Sequence, residues 1–201
     1  MRTHPVFLRI EGRRCLIVGS DDAAARKASA CRAAGAEVTV IAPERYRSGE
    51  LAGAVLAYVS TRDPELIRRL VDDAARERVL LNVVDVPDAC TFIAPAVVDR
   101  GELQIAIGTG GASPGLAARL RRDLESHVGP EYASFVAILG AVRVALAADP
   151  GRADVIAALL GSPLLELVRR GRRDEIDALL ARVAGARCTL DRLGVAFGSE
   201  P

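Results

Sequence analysis

Short apolar runs that end on glycine or proline, with helix-forming stretches between them, constrain this chain most. Cys15-Leu16-Ile17-Val18 is continuously apolar and ends at Gly19. That is the signature of a strand buried on both faces of a parallel sheet. A helix follows over Ala23 to Ala34, stopped by Gly35. Val38-Thr39-Val40-Ile41 then ends before Pro43, and Val55 to Val59 forms a third apolar run. Pro64 opens a helix to about Arg78, at the first-turn position where its missing N–H is harmless. Val79 to Val84 is a fourth strand. Three further strands are expected at Val6–Ile10, Ile93–Val98 and Leu103–Ile107. The alternation predicts an α/β fold with a parallel sheet and helices on its faces. From Pro114 the pattern changes to helix after helix: Pro114–Ser126, Glu131–Ala148, Ala153–Leu160, Pro163–Arg170 and Asp174–Val183. From about Gly185 the patterning is too weak to assign.

Composition removes several function classes. The 201 residues carry 27 Lys+Arg and 26 Asp+Glu, a net charge of +1, so a bulk electrostatic grip on nucleic acid is not expected. With 3% aromatics and no tryptophan, base-stacking platforms are not expected either. The most apolar helix candidate, Ala133 to Ala148, contains Arg143 and is too short to span a bilayer. No leader is visible at the N-terminus. Cys15, Cys31, Cys90 and Cys188 lie far apart with no metal-ligand spacing, so reduced thiols and a cytoplasmic location are expected.

Several segments carry chemistry. Strand, Gly19-Ser20-Asp21-Asp22-Ala23, helix is the context of a dinucleotide turn. Only the first glycine of G-x-G-x-x-G is present, and Asp21 stands where the second would let a pyrophosphate approach. A carboxylate about 5 Å from a phosphate would weaken binding on the order of a hundredfold. The plain alternative is a strand–turn–helix with Asp21 or Asp22 as N-cap. Glu44, after the second strand, could bind the ribose hydroxyls of NAD or merely start a surface helix. Asp85 ends the fourth strand, where ligands of open parallel sheets bind. As a half-buried carboxylate it could serve as general base or metal ligand; otherwise it is a turn residue before Val86-Pro87. Gly108-Thr109-Gly110-Gly111-Ala112-Ser113-Pro114 is a small-residue loop opening a helix, a ready anion site. Arg119, Arg121 and Arg122 follow it and could meet an acidic substrate or simply be solvated. His4 and His127 are isolated and are not read as ligands.

In this order the segments resemble the precorrin-2 dehydrogenase family, the siroheme-synthase N-terminal module, over about residues 5 to 184. The resemblance runs through Pro5-Val6-Phe7-Leu8, Cys15-Leu16-Ile17-Val18-Gly19, Ala24-Ala25-Arg26-Lys27 and Ala34 to Pro43. It continues through Asn82-Val83-Val84-Asp85, Cys90 to Gly101, Gly110-Gly111-Ala112-Ser113-Pro114 and Ser162 to Leu167. It implies a homodimer that oxidises precorrin-2 to sirohydrochlorin with NAD, some members also inserting ferrous iron. It implies a Rossmann-like NAD domain over 1–88, a strand-exchanged dimerisation region over 89–125, a helical domain over 126–185 and a tail over 186–201. Asp85 matches the catalytic aspartate, implicated in both steps and hence also placed at the metal. Thr109 falls where some members carry a serine near the site, and Thr109, Gly110, Gly111, Ser113 and Arg119 become candidates for holding the polycarboxylate substrate. Gly19, Ser20, Asp21, Asp22, Ala23 and Glu44 become the cofactor-binding candidates.

The departures cluster in the NAD half. The family reads Gly-Gly-Gly where this chain has Gly19-Ser20-Asp21. A helix and strand between Pro43 and Val55 are missing. The family's Ala-Thr-Asp segment is here Val59-Ser60-Thr61-Arg62, and its following Asn is Ile67. Altered cofactor use is the expectation. An NAD-independent chelatase or other tetrapyrrole-modifying enzyme, and a non-enzymatic tetrapyrrole-binding protein, are the alternatives.

Overall fold

A computed structural model describes residues 3–197. Its contacts divide the chain into two units. One runs to Pro95 and includes Gly108–Pro114; the other comprises Ala96–Ile107 and the chain from Gly115.

The first unit is built on four parallel strands in the order β2-β1-β3-β4: β1 Arg14–Val18, β2 Glu37–Ile41, β3 Leu56–Val59 and β4 Leu80–Val83. The apolar run of β1 has a direct cause. Cys15 and Ile17 face helix α1 (Asp22–Ala33), where Ala24, Ala28 and Cys31 allow close approach. Leu16 and Val18 face the opposite layer with Leu66, Leu70 and Ala74 of helix α2 (Pro64–Glu77). Burying Leu16 or Ile17 contributes roughly 1.5–3 kcal/mol each, against about 1–2 kcal/mol of backbone entropy per ordered residue. β1 is therefore the anchor of the unit. Gly35, at φ +77°, ends α1 as expected, its N–H donating to the Arg32 carbonyl.

Strand β2 lies at the sheet edge, and Val40 is 44% exposed. Among the described residues no strand flanks its outer side. The dozen residues after it instead fold back on the α2 layer. A 3-10 turn at Pro43–Arg45 precedes Tyr46 and Leu51, both buried. The Tyr46 hydroxyl donates to Asp73 Oδ2 on α2 at 2.7 Å, and Arg76 donates to Oδ1 at 2.6 Å. Burial by itself would raise the Asp73 carboxyl, but these donors outweigh it and hold it below its ordinary value.

Two expected strands differ. Val6–Ile10 forms no strand; Val6, Phe7 and Leu8 are 63%, 67% and 49% exposed. The alternating pattern finds no partner edge, and the segment ends in a turn in which Arg13 N–H donates to the Ile10 carbonyl. The strand expected from Ile93 begins at Ala96 instead, because Pro95 has no N–H to give a ladder.

In the second unit, β5 (Ala96–Arg100) and β6 (Leu103–Ile107) form an antiparallel hairpin with Val98 opposite Ile105. Gly101, at φ +67°, makes its turn. Five helices follow: α3 Pro114–His127, α4 Glu131–Ala145, α5 Arg152–Leu160, α6 Leu164–Arg169 and α7 Arg173–Ala184. Phe135, Ile138 and Val142 of α4 pack with Leu159, Leu164, Ile176 and Leu180. The unassigned stretch after Gly185 joins this core through Cys188 and Leu190, and Leu190 N–H donates to Asp177 Oδ1 at 2.6 Å. Among the described residues no single helix is long and apolar enough to cross a membrane. All four cysteines are free, and Cys90 is the one not fully buried.

Candidate functional site

The strand order reverses its winding between β1 and β3, so a crevice opens at their carboxyl ends. A cleft of about 600 Å³ lies there, walled by the β1–α1 turn, the end of β3 and the end of β4.

The β1–α1 turn begins at Gly19. A Cβ there would lie 2.7 Å from Ala24 Cβ and 3.2 Å from the Ser60 carbonyl oxygen, so no other residue fits without movement. Ser20, Asp21 and Ala23 line the cleft. Asp21 is the N-cap of α1, its Oδ1 accepting from Ala24 N–H at 2.8 Å. Its Oδ2 accepts from the Ser60 hydroxyl at 2.7 Å. The bond from Ala24 N–H, then that from Ser60, holds the Asp21 carboxyl below its ordinary value. The positive end of α1 is thus already matched by a carboxylate of the chain itself. Asp22 sits in the first turn of α1, exposed, and does not line the cleft. Glu44 is exposed on the 3-10 turn that follows β2, also outside the cleft wall.

The end of β4 contributes Asp85. Its backbone is left-handed, φ +60°, in a turn closed by Val86 N–H to the Val83 carbonyl at 3.2 Å. Non-glycine residues in that region are strained and are held there by their surroundings. Here the surroundings include Cys90. Its Sγ accepts from Val83 N–H at 3.2 Å and donates toward the carbonyls of Val83 and Val86, each at 3.3 Å. Asn82 Nδ2 donates to the Phe92 carbonyl at 3.0 Å and ties the same segment down. Asp85 itself is exposed, not half-buried as expected, because the turn carries it beyond the last sheet residue. Among the described residues its carboxylate has no hydrogen-bond or ion-pair partner. That leaves it able to accept a proton from something bound in the cleft. Nor do three or more metal-ligating side chains gather anywhere among the described residues.

The third wall carries Thr61, Arg62 and Ile67, the positions at which the chain departs from the family's Ala-Thr-Asp segment and its following Asn. Among the described residues Arg62 is the one basic side chain on the cleft wall, and it forms no ion pair with any of them.

The glycine loop lies outside this wall. Thr109 Oγ1 accepts from Ser113 N–H at 3.2 Å, and Gly110 and Gly111 adopt φ +61° and +84°. The Ala112 N–H also donates within the loop, to the Thr109 carbonyl at 3.0 Å. Arg119 is on α3, 3.7 Å from Asp123, and Arg121 donates to Glu125 at 2.6 Å. Such exposed helical pairs hold their arginines weakly.

Two sequence-family models match the chain: "Putative NAD(P)-binding" over residues 6–96, and "Sirohaem biosynthesis protein central" over residues 100–127. The siroheme synthase of Methylobacillus flagellatus is 35% identical over 73% of this chain and 35% of its own length. That of Chromobacterium violaceum is 32% identical over 100% of this chain and 45% of its own length. The chain thus spans less than half the length of these relatives. Among solved structures, a protein described as SirC, precorrin-2 dehydrogenase, superposes with a TM-score of 0.68 at 23% identity, covering 88% of this chain and 100% of that one. At that identity the likeness is one of fold. Residues 6–96 thus match the NAD(P)-binding model and residues 100–127 the sirohaem-biosynthesis central model, and across these regions the chain is similar to siroheme synthases.

Proposed function

We propose that the chain oxidises precorrin-2 to sirohydrochlorin with NAD in siroheme biosynthesis. One observation carries this reading most: Asp85, unpartnered, held on a left-handed turn at the carboxyl end of β4 and open to the cleft. The reaction removes a hydride and a proton from the macrocycle. Asp85 takes the proton and passes it to solvent, to which it is exposed. NAD, when bound, supplies the hydride acceptor.

The residues fit a dinucleotide at Gly19, whose missing Cβ is needed for close packing, and at the crevice between β1 and β3. Ser20 and Ala23, on the cleft wall, would border its pyrophosphate; Asp22 and Glu44 lie outside that wall. The obstacle is the Asp21 carboxylate. Thr109, Gly110 and Gly111 would hold a substrate carboxylate through the loop N–H groups that are not already bonded to Thr109. A homodimer is part of the proposal. The β5–β6 hairpin is only two strands, with Val97 37% exposed, and such a pair is marginal without a covering surface. The resemblance also supports a cytoplasmic location.

The Asp21 obstacle favours a second reading, an NAD-independent chelatase that uses Asp85 to accept pyrrole protons as ferrous iron enters as substrate. Anaerobic incubation with precorrin-2, with and without NAD, separates the two. NAD-dependent appearance of sirohydrochlorin absorbance supports the dehydrogenase. No conversion, with iron consumed on sirohydrochlorin without nucleotide, supports the chelatase.

A further inference from the structure

Asp21 does more than cap a helix. One oxygen takes the Ala24 N–H at the start of α1 and the other takes the Ser60 hydroxyl at the end of β3. The side chain therefore bridges the two strand ends between which the crevice opens. It engages the kinds of donor that an incoming phosphate would seek: a helix N-terminal N–H and a neighbouring hydroxyl.

We propose that the Asp21–Ser60 bridge is a built-in anion that competes with the pyrophosphate of NAD, so that the nucleotide binds only when Asp21 swings out of the crevice. The inference rests on the NAD-dependent reading above. Three observations support it. Asp21 is an exposed carboxylate, charged near neutral pH, that occupies the α1 N-terminal N–H and repels a phosphate arriving there. Asp21 is exposed, so its rotation uncovers no buried surface. Arg62 lines the same cleft and pairs with no carboxylate among the described residues, a counter-charge on the wall when Asp21 leaves its bonds. The bridge sets nucleotide affinity and not the proton transfer, which belongs to Asp85.

The test is calorimetric titration of NAD into the intact chain and into Ser60→Ala, Asp21→Asn and Asp21→Gly, with thermal melts as the check on folding. Asparagine also caps helices, so Asp21→Asn removes the charge and keeps the cap. NAD should bind a few-fold tighter to Ser60→Ala, about tenfold tighter to Asp21→Asn, and on the order of a hundredfold tighter to Asp21→Gly. Equal or weaker binding in folded Asp21→Asn overturns the bridge. If NAD-dependent oxidation of precorrin-2 persists in that case, the functional reading survives alone. Tighter binding in the Asp21 variants without any precorrin-2 oxidation supports the bridge and overturns the functional reading. Absence of NAD binding in every variant overturns both.

Discussion

Asp21 and Asp85 line one cleft and carry the same functional group, yet their surroundings are opposite. Asp21 follows β1, and both of its oxygens are engaged, one by the helix it caps and one by Ser60. Asp85 follows β4, and its backbone is tied down while its carboxylate is left open. A carboxylate whose acceptors are satisfied by its own chain serves structure. One whose backbone is fixed and whose oxygens are free can serve chemistry. The distinction lies in the neighbours and not in the residue.

The comparison can be broken most sharply at Asp85. Asp85→Asn should lower precorrin-2 oxidation by roughly a hundred- to ten-thousandfold with no loss of thermal stability, whereas a turn-only Asp85 would leave the rate intact. Cys90→Ala removes the thiol that holds the Asp85 turn. A fall in kcat of about tenfold with KM unchanged is expected, because the carboxylate is misplaced and substrate binding is not. Restoration by Cys90→Ser would confirm positioning. At the other strand end, Gly19→Ala must force Ala24 and Ser60 apart. Overpacking of this kind costs about 1–3 kcal/mol and should lower Tm by several degrees. Asp21→Ala should lower Tm by only a few degrees through loss of the cap. A larger fall would mean that the bridge to Ser60 is mainly a structural tie.

A last and smaller effect concerns the loop that folds over α2. The Asp73 carboxyl is depressed in the folded chain relative to its ordinary 3.8. Its contribution is present above that value and lost as pH falls through the depressed folded value. Tyr46→Phe removes one of its donors, so the acid limb of a melting-temperature profile should move to higher pH. An unmoved limb would show that Arg76 and Ser48 hold the Asp73 charge without Tyr46.

Much of this arrangement was legible along the chain. The apolar run before Gly19 announced a doubly buried strand, Pro64 and Gly35 punctuated helices as expected, and the strand end at Asp85 marked the cleft. The stretch after Pro43, read as lacking a helix and strand, holds only a 3-10 turn between β2 and β3. What escaped has a common cause, partners distant in sequence. Ser60 meets Asp21 across 39 positions, and the Tyr46–Asp73 bond joins a loop to a helix. Nothing local marks either partner. Cys90 reads only as one of four reduced thiols, and its contacts, with Asn82 and with backbone atoms of the β4 turn, have no mark in local spacing. Val6–Ile10 alternates like a strand, but a strand needs an edge, and periodicity does not say whether one is available.

The most direct measurement is the rate of precorrin-2 oxidation by wild type, Asp85→Asn and Asp21→Gly under anaerobic conditions, across a range of NAD concentrations. The account predicts loss of kcat in Asp85→Asn, and in Asp21→Gly a lower KM for NAD at unchanged kcat. A full rate in Asp85→Asn, or a collapse of kcat in folded Asp21→Gly, would contradict the division of labour between the two aspartates.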